Sequence, residues 1–124
     1  MNDLHINFLD RLEDEGYCIE LVNLSEGICQ GGPMLGNLKI DGKYFSSDSF
    51  GGPMHVYKEK LYIPKFKKSL FHGSGFVLVS IDIVSKNQKE LTSWKDMVLV
   101  KNIKDDVITY FTDIENINES TCNI

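Results

Sequence analysis

GFVLVSIDIVS, residues 75–85, is the most strand-like stretch of the chain. Val77, Val79, Ile81 and Ile83 recur at every second position, so an extended backbone turns all four to one face. Asp82 marks where the opposite face becomes solvated. Upstream, KLYIPKF (60–66) repeats the pattern, with Leu61 and Ile63 on one side and Tyr62 on the other. Pro64 has no N–H for a ladder and argues against a central place in a sheet for this segment.

Further upstream the chain writes Gly-Gly-Pro-Met twice, beginning at Gly31 and at Gly51. A phosphate-binding loop needs a helix after its glycines, so that free amides face the anion. Neither copy is followed by one. The first runs into NLKIDGKYF, where Leu38 and Ile40 alternate with Lys39 and Asp41, and Asp41 with Gly42 is a strong hairpin-turn signal. The second runs into KLYIPKF. Both continuations have period two, so the glycines turn the chain tightly and the proline fixes φ. Aligning Leu38 with Leu61 and Ile40 with Ile63 gives two similar β units. A complete propeller would need at least about four blades and a longer chain.

Toward the N-terminus, residues 3–15 carry the one helical pattern. Asp3 is placed to cap it, Leu4, Phe8 and Leu12 share a face, and Gly16 is placed to end it. YCIELVNL (17–24) then reads as a strand with Tyr17, Ile19 and Leu21 opposed to Cys18, Glu20 and Val22. Short strands are expected around 28–30, 36–41, 43–46, 53–57 and 60–66, with SSDSFGG (46–52) a loop, because Ser, Asp and Gly favour locally hydrogen-bonded turns. KNQK (86–89) reads as a turn, and DMVLVKNIKDDVITYFTDI divides into two strands about Lys104, Asp105 and Asp106. The expected fold is mainly β, residues 1–124 as one compact domain: a single curled antiparallel sheet, incomplete barrel or partial propeller, with an N-terminal helix. The glycines supply its bends.

With 124 residues, 42% hydrophobic and 25% charged, the chain reads as an ordinary globular protein. No stretch approaches the roughly 20 apolar residues that span a bilayer, and the opening MNDLHINFLDRLEDEG lacks the basic and apolar segments of a secretory signal. A cytoplasmic protein without membrane contact is expected. Cys18, Cys29 and Cys122 are widely spaced and read as free thiols, and His5, His55 and His72 complete no zinc pattern. No metal or cofactor is expected.

The formal charge is −5, and its layout is uneven. Residues 1–26 hold seven acids against Arg11 alone, and residues 102–124 hold five against Lys104 alone. Between them, YKEKLYIPKFKK carries Lys58, Lys60, Lys65, Lys67 and Lys68 with Tyr57, Tyr62 and Phe66 interleaved. Acidic ends oppose the attraction that phosphate recognition exploits, so nucleic acid is a disfavoured partner, and lysines along a strand commonly guard a sheet edge. Trp94, in ELTSWKDM, is read first as a core packer and second as a contact residue.

Catalytic signatures are weak. The acids at 13–15 and 105–106 are adjacent in sequence, which does not supply the separation of about 5–9.5 Å that paired glycosidase carboxylates need. Asp41 and Gly42 lack the repeated oxygen ligands of a calcium loop, and Ser80 sits in LVSID without a nucleophile elbow. A small hydrolase assembled only on folding, with His55 or His72 as base, Cys18, Cys29 or Ser80 as nucleophile and Asp82 as orienting acid, is the weaker alternative.

As a whole pattern, GGPMLGNLKI, GGPMHVYKEKLYIP and the acidic ending KDDVITYFTDIENINE in a compact acidic chain resemble small immunity proteins of bacterial contact-dependent and polymorphic toxin systems. The resemblance implies a non-enzymatic protein that neutralises a toxin in the cytoplasm by occluding its active site. An acidic surface complements a basic nuclease site and speeds encounter. The expected contacts are Glu13, Asp14, Glu15 and Glu20 in one acidic patch and Asp105, Asp106, Asp113 and Glu115 in another. The competing reading makes the lysine-rich segment an RNA- or anionic-peptide-binding module.

Overall fold

The computed structural model describes residues 11–14, 16–26, 34–51, 54–69, 73–95, 97–112 and 119–124. Among them there are strands and turns and no helix. In chain order the strands are β1 (Arg11–Asp14), β2 (Tyr17–Glu26), β3 (Met34–Ile40), β4 (Lys43–Phe50), β5 (His55–Tyr57), β6 (Lys60–Ser69), β7 (Gly73–Asp82), β8 (Gln88–Glu90), β9 (Leu99–Lys104), β10 (Val107–Phe111) and β11 (Glu119–Asn123). They make two separate antiparallel sheets. One has eight strands in the order β1-β2-β3-β4-β6-β7-β8, with β5 also paired to β6, and the other has three in the order β11-β10-β9.

The β6–β7 hairpin is the centre of the molecule. Its register runs without a break from Lys60 opposite Asp82 to Ser69 opposite Gly73. Residues 61–64 and 75–81 are all buried, so both faces of this hairpin are covered. On one face Leu61, Ile63, Val77, Val79, Ile81 and Ile83 cluster with Ile19, Leu21, Leu38, Ile40 and Phe50 of the neighbouring strands. The four residues of the repeated β units, Leu38, Ile40, Leu61 and Ile63, all lie in this core, each at 2% exposure or less. Met54, from the second Gly-Gly-Pro-Met, lies there too.

On the opposite face Tyr62, Phe76 and Leu78 meet Val98, Leu99, Val100, Ile108, Tyr110 and Phe111, which brings the small sheet against the large one. Phe66 packs edge-on against Phe76 with centroids 5.8 Å apart. Burying one such large side chain contributes about 1.5–3 kcal/mol, so this second core is comparable per residue with the first. Beyond β8 the segment after Glu90 keeps pairing with β7. Leu91 N–H donates to the Leu78 carbonyl at 2.7 Å, and Phe76 and Lys95 exchange two backbone bonds of 2.8 Å. Trp94 is thereby laid over Gly75, where an added Cβ would come within 2.4 Å of its ring and 2.5 Å of the Lys95 carbonyl.

Several expectations are corrected. A single curled sheet, incomplete barrel or partial propeller is replaced by two open sheets, because the second face of β6–β7 is apolar and requires its own cover. The N-terminal helix is contradicted where it can be compared: residues 11–14 are strand β1, paired from Arg11 opposite Glu20 to Asp14 opposite Tyr17, and positions 3–10 and 15 lie outside the described residues. Gly16, expected to end that helix, has φ +86° beside this hairpin connection. Pro64 does occupy a central strand. It sits where the partner of β6 changes from β5 to β4, its carbonyl accepting from Gly51 N–H at 2.9 Å, so its lack of a donor falls at a break in the ladder.

The 46–52 loop is largely strand β4, carrying an irregularity between the Asn37–Ser49 and Lys39–Tyr44 pairs. Within it Ser46 Oγ accepts the Asp48 N–H at 3.2 Å, which is the local turn chemistry its composition favours. Asp41 (φ +51°) and Gly42 (φ +84°) make the expected hairpin turn, and Asp41 also exchanges bonds of 2.7 and 2.9 Å with the Cys18 backbone. The strand expected at 28–30 and the first Gly-Gly-Pro lie outside the described residues.

Candidate functional site

Three turns meet at one end of the molecule. Lys58 and Glu59 join β5 to β6, Asp105 and Asp106 join β9 to β10, and residues 83–87 join β7 to β8. A two-residue connection whose twist matches the strands needs positive φ at both positions, which normally selects Asn, Asp or Gly. Here Lys58 (φ +52°), Glu59 (φ +65°), Asp105 (φ +53°) and Asp106 (φ +61°) all adopt it, as does Lys86 (φ +66°). Five of the seven non-glycine positive-φ residues among the described residues therefore gather in these turns. Holding a side chain there costs roughly 1–2 kcal/mol relative to glycine, and such strain collects where the side chains have a task.

Hydrogen bonds tie the turns together. The Asp106 carboxylate accepts from Lys58 Nζ at 2.9 Å and from the Tyr57 hydroxyl at 3.0 Å. Asp106 N–H donates back to the Tyr57 oxygen at 3.2 Å, and its carbonyl accepts from Ile124 N–H at 3.0 Å. The Glu59 carbonyl takes the Ile83 N–H at 3.3 Å, which adds the third turn. Hydrogen bonds from Lys58 and Tyr57 hold the Asp106 carboxyl below the usual carboxylate range, and the bond to Asp106 raises the Lys58 ammonium. In the third turn Asp82 Oδ1 accepts the Val84 and Ser85 N–H groups, each at 3.0 Å. Val84 and Ile124 stand exposed beside these turns, at 68% and 46%. The result is a braced end of mixed charge with two exposed apolar side chains, Val84 and Ile124, beside it.

Of the eight expected contact residues, Asp105 and Asp106 stand on this end. Asp106 is engaged by Lys58 and Tyr57, while Asp105 is exposed at the apex. Glu20 is half-buried on β2, in the other sheet, with Arg11 and Lys39 opposite it in register, so basic positions flank it on both sides. Glu13 and Asp14 lie on edge strand β1. Glu15, Asp113 and Glu115 lie outside the described residues. The two expected patches thus belong to different sheets, and what joins Asp105 and Asp106 to a larger surface is the β5–β6 turn. Residue order gave that partner no signal, because Tyr57 and Asp106 are 49 positions apart.

The residues of the competing readings are largely occupied. Tyr62 is 1% exposed and Phe66 packs into the second core. Lys58, Lys65 and Lys67 are ion-paired with Asp106, Asp48 and Glu90 at 2.9, 3.3 and 2.9 Å. His55 Nε2 lies 3.2 Å from the Val100 carbonyl, a backbone contact between the two sheets. Its burial lowers the imidazole pKa, an effect the Val100 contact partly opposes. Cys18 and Cys122 are half-buried free thiols, Trp94 packs on Gly75, and Cys29, His5 and His72 lie outside the described residues.

The chain matches no protein-family model, no curated protein and no solved structure compared with it. Among the described residues no helix is long and apolar enough to cross a membrane.

Proposed function

We propose that this protein is an immunity-type inhibitor: a non-enzymatic cytoplasmic protein that binds a bacterial toxin domain and covers its substrate site with the braced end. The observation that carries the reading is the set of turns cross-linked through Asp106, in which Lys58, Glu59 and Asp105 project from backbone geometry that favours Asn, Asp or Gly. A contact surface ordered before encounter loses little entropy on binding, which is what a stoichiometric inhibitor of a lethal partner requires. The chain's net charge of −5 favours a basic partner, and a nuclease is the toxin class that presents one around its substrate site.

The test is binding and protection. The purified protein is titrated into the product of the adjacent toxin-like reading frame, and toxin activity is followed. One-to-one inhibition that weakens on replacing Lys58, Glu59 and Asp105 together, with folding intact, supports the proposal. Absence of binding and protection across the neighbouring toxin candidates rejects it. Of the aromatics in the RNA-binding alternative, Tyr62 is buried, Phe66 is half-buried against the small sheet, and Tyr57 is half-buried with its hydroxyl engaged by Asp106, which weighs against a stacking platform there.

A further inference from the structure

A second feature lies on the large sheet, on the face that also carries Tyr62 and Leu78. Lys60 stands opposite Asp82 in the β6–β7 register, Tyr62 opposite Ser80, and Ser80 opposite Lys89 across to β8. Asp82 N–H donates to the Asn87 carbonyl at 2.9 Å, so the ladder continues one step past β8. Directly paired residues share a face, which sets Lys60, Asp82 and Asn87 in one cross-strand row and Ser80 and Lys89 in the next. These residues line an open cleft of about 220 Å³.

Ser80 is the odd member of its strand. It is 7% exposed and stands on its face between Leu78, which is apolar core, and the half-buried Asp82. Its hydroxyl makes no hydrogen bond to another described residue, although it lies at the floor of the cleft. The hydroxyl is not sealed in the core but opens on the cleft, so its partner there is water or a ligand. The charges around it are unequal. Asp82 directs one carboxylate oxygen to the Val84 and Ser85 amides, whereas Lys60 and Lys89 form no ion pair with another described residue. Two ammonium groups against one carboxylate leave the cleft net positive.

We propose that this cleft is a binding site for a small oxyanion, a phosphate or carboxylate group, held by the Ser80 hydroxyl at its floor and by Lys60 and Lys89 at its sides, with the Asn87 amide as a further donor. Ammonium groups supply charge without fixed direction, and the hydroxyl and amide supply directed donors. The cleft adjoins the third turn of the braced end, sharing Asp82 and Asn87 with it, but its anion binding is read out without a toxin and does not rest on the toxin-binding reading.

Nuclear magnetic resonance titration of the ¹⁵N-labelled full chain with inorganic phosphate, and separately with acetate, at ionic strength held constant with sodium chloride, tests it. Saturable shifts at the Ser80, Asp82, Asn87 and Lys89 amides, with at least one of the two probes saturating in the low-millimolar range or below, are expected. Phosphate alone or acetate alone identifies the group. Ser80→Ala and Lys89→Gln each weaken binding about tenfold. The Ser80→Ala protein also keeps or raises its unfolding midpoint, since it loses a hydroxyl that no residue satisfies. The inference is overturned if neither probe gives saturable shifts, if chloride alone reproduces them, if Ser80→Ala binds unchanged, or if Ser80→Ala clearly destabilises the apo protein.

Discussion

Gly75→Ala tests the packing of the segment that closes the far side of β7. A Cβ at this position would sit 2.4 and 2.5 Å from two Trp94 ring carbons and 2.5 Å from the Lys95 carbonyl oxygen. Ordinary carbon contacts lie near 3.5–4.0 Å, so the 94–95 segment must retreat by roughly 1 Å. The ring can tilt, but the carbonyl belongs to the backbone and accepts the Phe76 N–H at 2.8 Å. Retreat therefore strains both Phe76–Lys95 bonds. Overpacking costs about 1–3 kcal/mol, and two weakened hydrogen bonds add about 0.5–1.5 kcal/mol each when lost outright, giving an expected total of about 2–4 kcal/mol.

Trp94 is the chain's one tryptophan, so its fluorescence reports the segment directly while urea unfolding gives the free energy. The expected result is a lower midpoint with little change in slope and a red-shifted native emission. Combining Gly75→Ala with Trp94→Leu, followed by circular dichroism, recovers only part of the loss, because the Lys95 carbonyl still blocks the new methyl. Gly73→Ala is the control: Gly73 has φ +77° and nothing within 4 Å, so it costs about 1–2 kcal/mol through backbone strain and leaves Trp94 emission unchanged. A Gly75→Ala protein within about 0.5 kcal/mol of the parent, with unaltered emission, refutes the packing argument.

Other perturbations reach the remaining features. Burial depresses the His55 pKa, so the folded state binds fewer protons than the unfolded chain; stability is present above the imidazole's ordinary 6.5 and is lost as pH falls from there through the folded value. His55→Gln should flatten that part of the stability profile, and an unchanged profile would show that other groups set it. Tyr57→Phe removes both a donor to the Asp106 carboxylate and the acceptor of the Asp106 N–H, so amide exchange at Asp106 and Ile124 should quicken severalfold while the global midpoint stays put. Unchanged exchange there would mean that the turns are not braced through Tyr57. Asp105→Asn with Asp106→Asn should slow association with a basic toxin more at low than at high salt. Equal association rates across salt concentrations would exclude steering by these two acids.

The strands were legible where one face alone decides the pattern. Ile19 and Leu21 on β2, Leu38 and Ile40 on β3, and Val77, Val79 and Ile81 on β7 alternate as a half-buried strand should, and all reached the same core. What alternation concealed was the second face. Phe76 and Leu78 alternate with Val77 and Val79, and a run apolar on both sides belongs to a strand covered twice, for which Val98, Leu99 and Val100 were the available cover. At the N-terminus, Leu4, Phe8 and Leu12 fit a helical stripe, yet β1 uses Leu12 in a four-residue strand. Gly16 could not separate the two readings, since a positive-φ glycine serves a helix end and a hairpin turn equally well.

The braced end was half legible for the same kind of reason. Asp105 and Asp106 announce a turn by residue type, whereas Lys58 and Glu59 do not, because long side chains are poor choices for left-handed backbone. Within YKEKLY they read as a charged strand edge. What holds them in the turn is tertiary: β6 is fixed along its length by β7, β5 returns to pair at His55–Tyr62, and only two residues remain between Tyr57 and Lys60 to make the connection. The geometry is imposed by the flanking pairs and stabilised by the bond from Lys58 to Asp106. A turn whose residues oppose its backbone, held by a partner 48 positions away, is the kind of feature local pattern cannot announce and packing must supply.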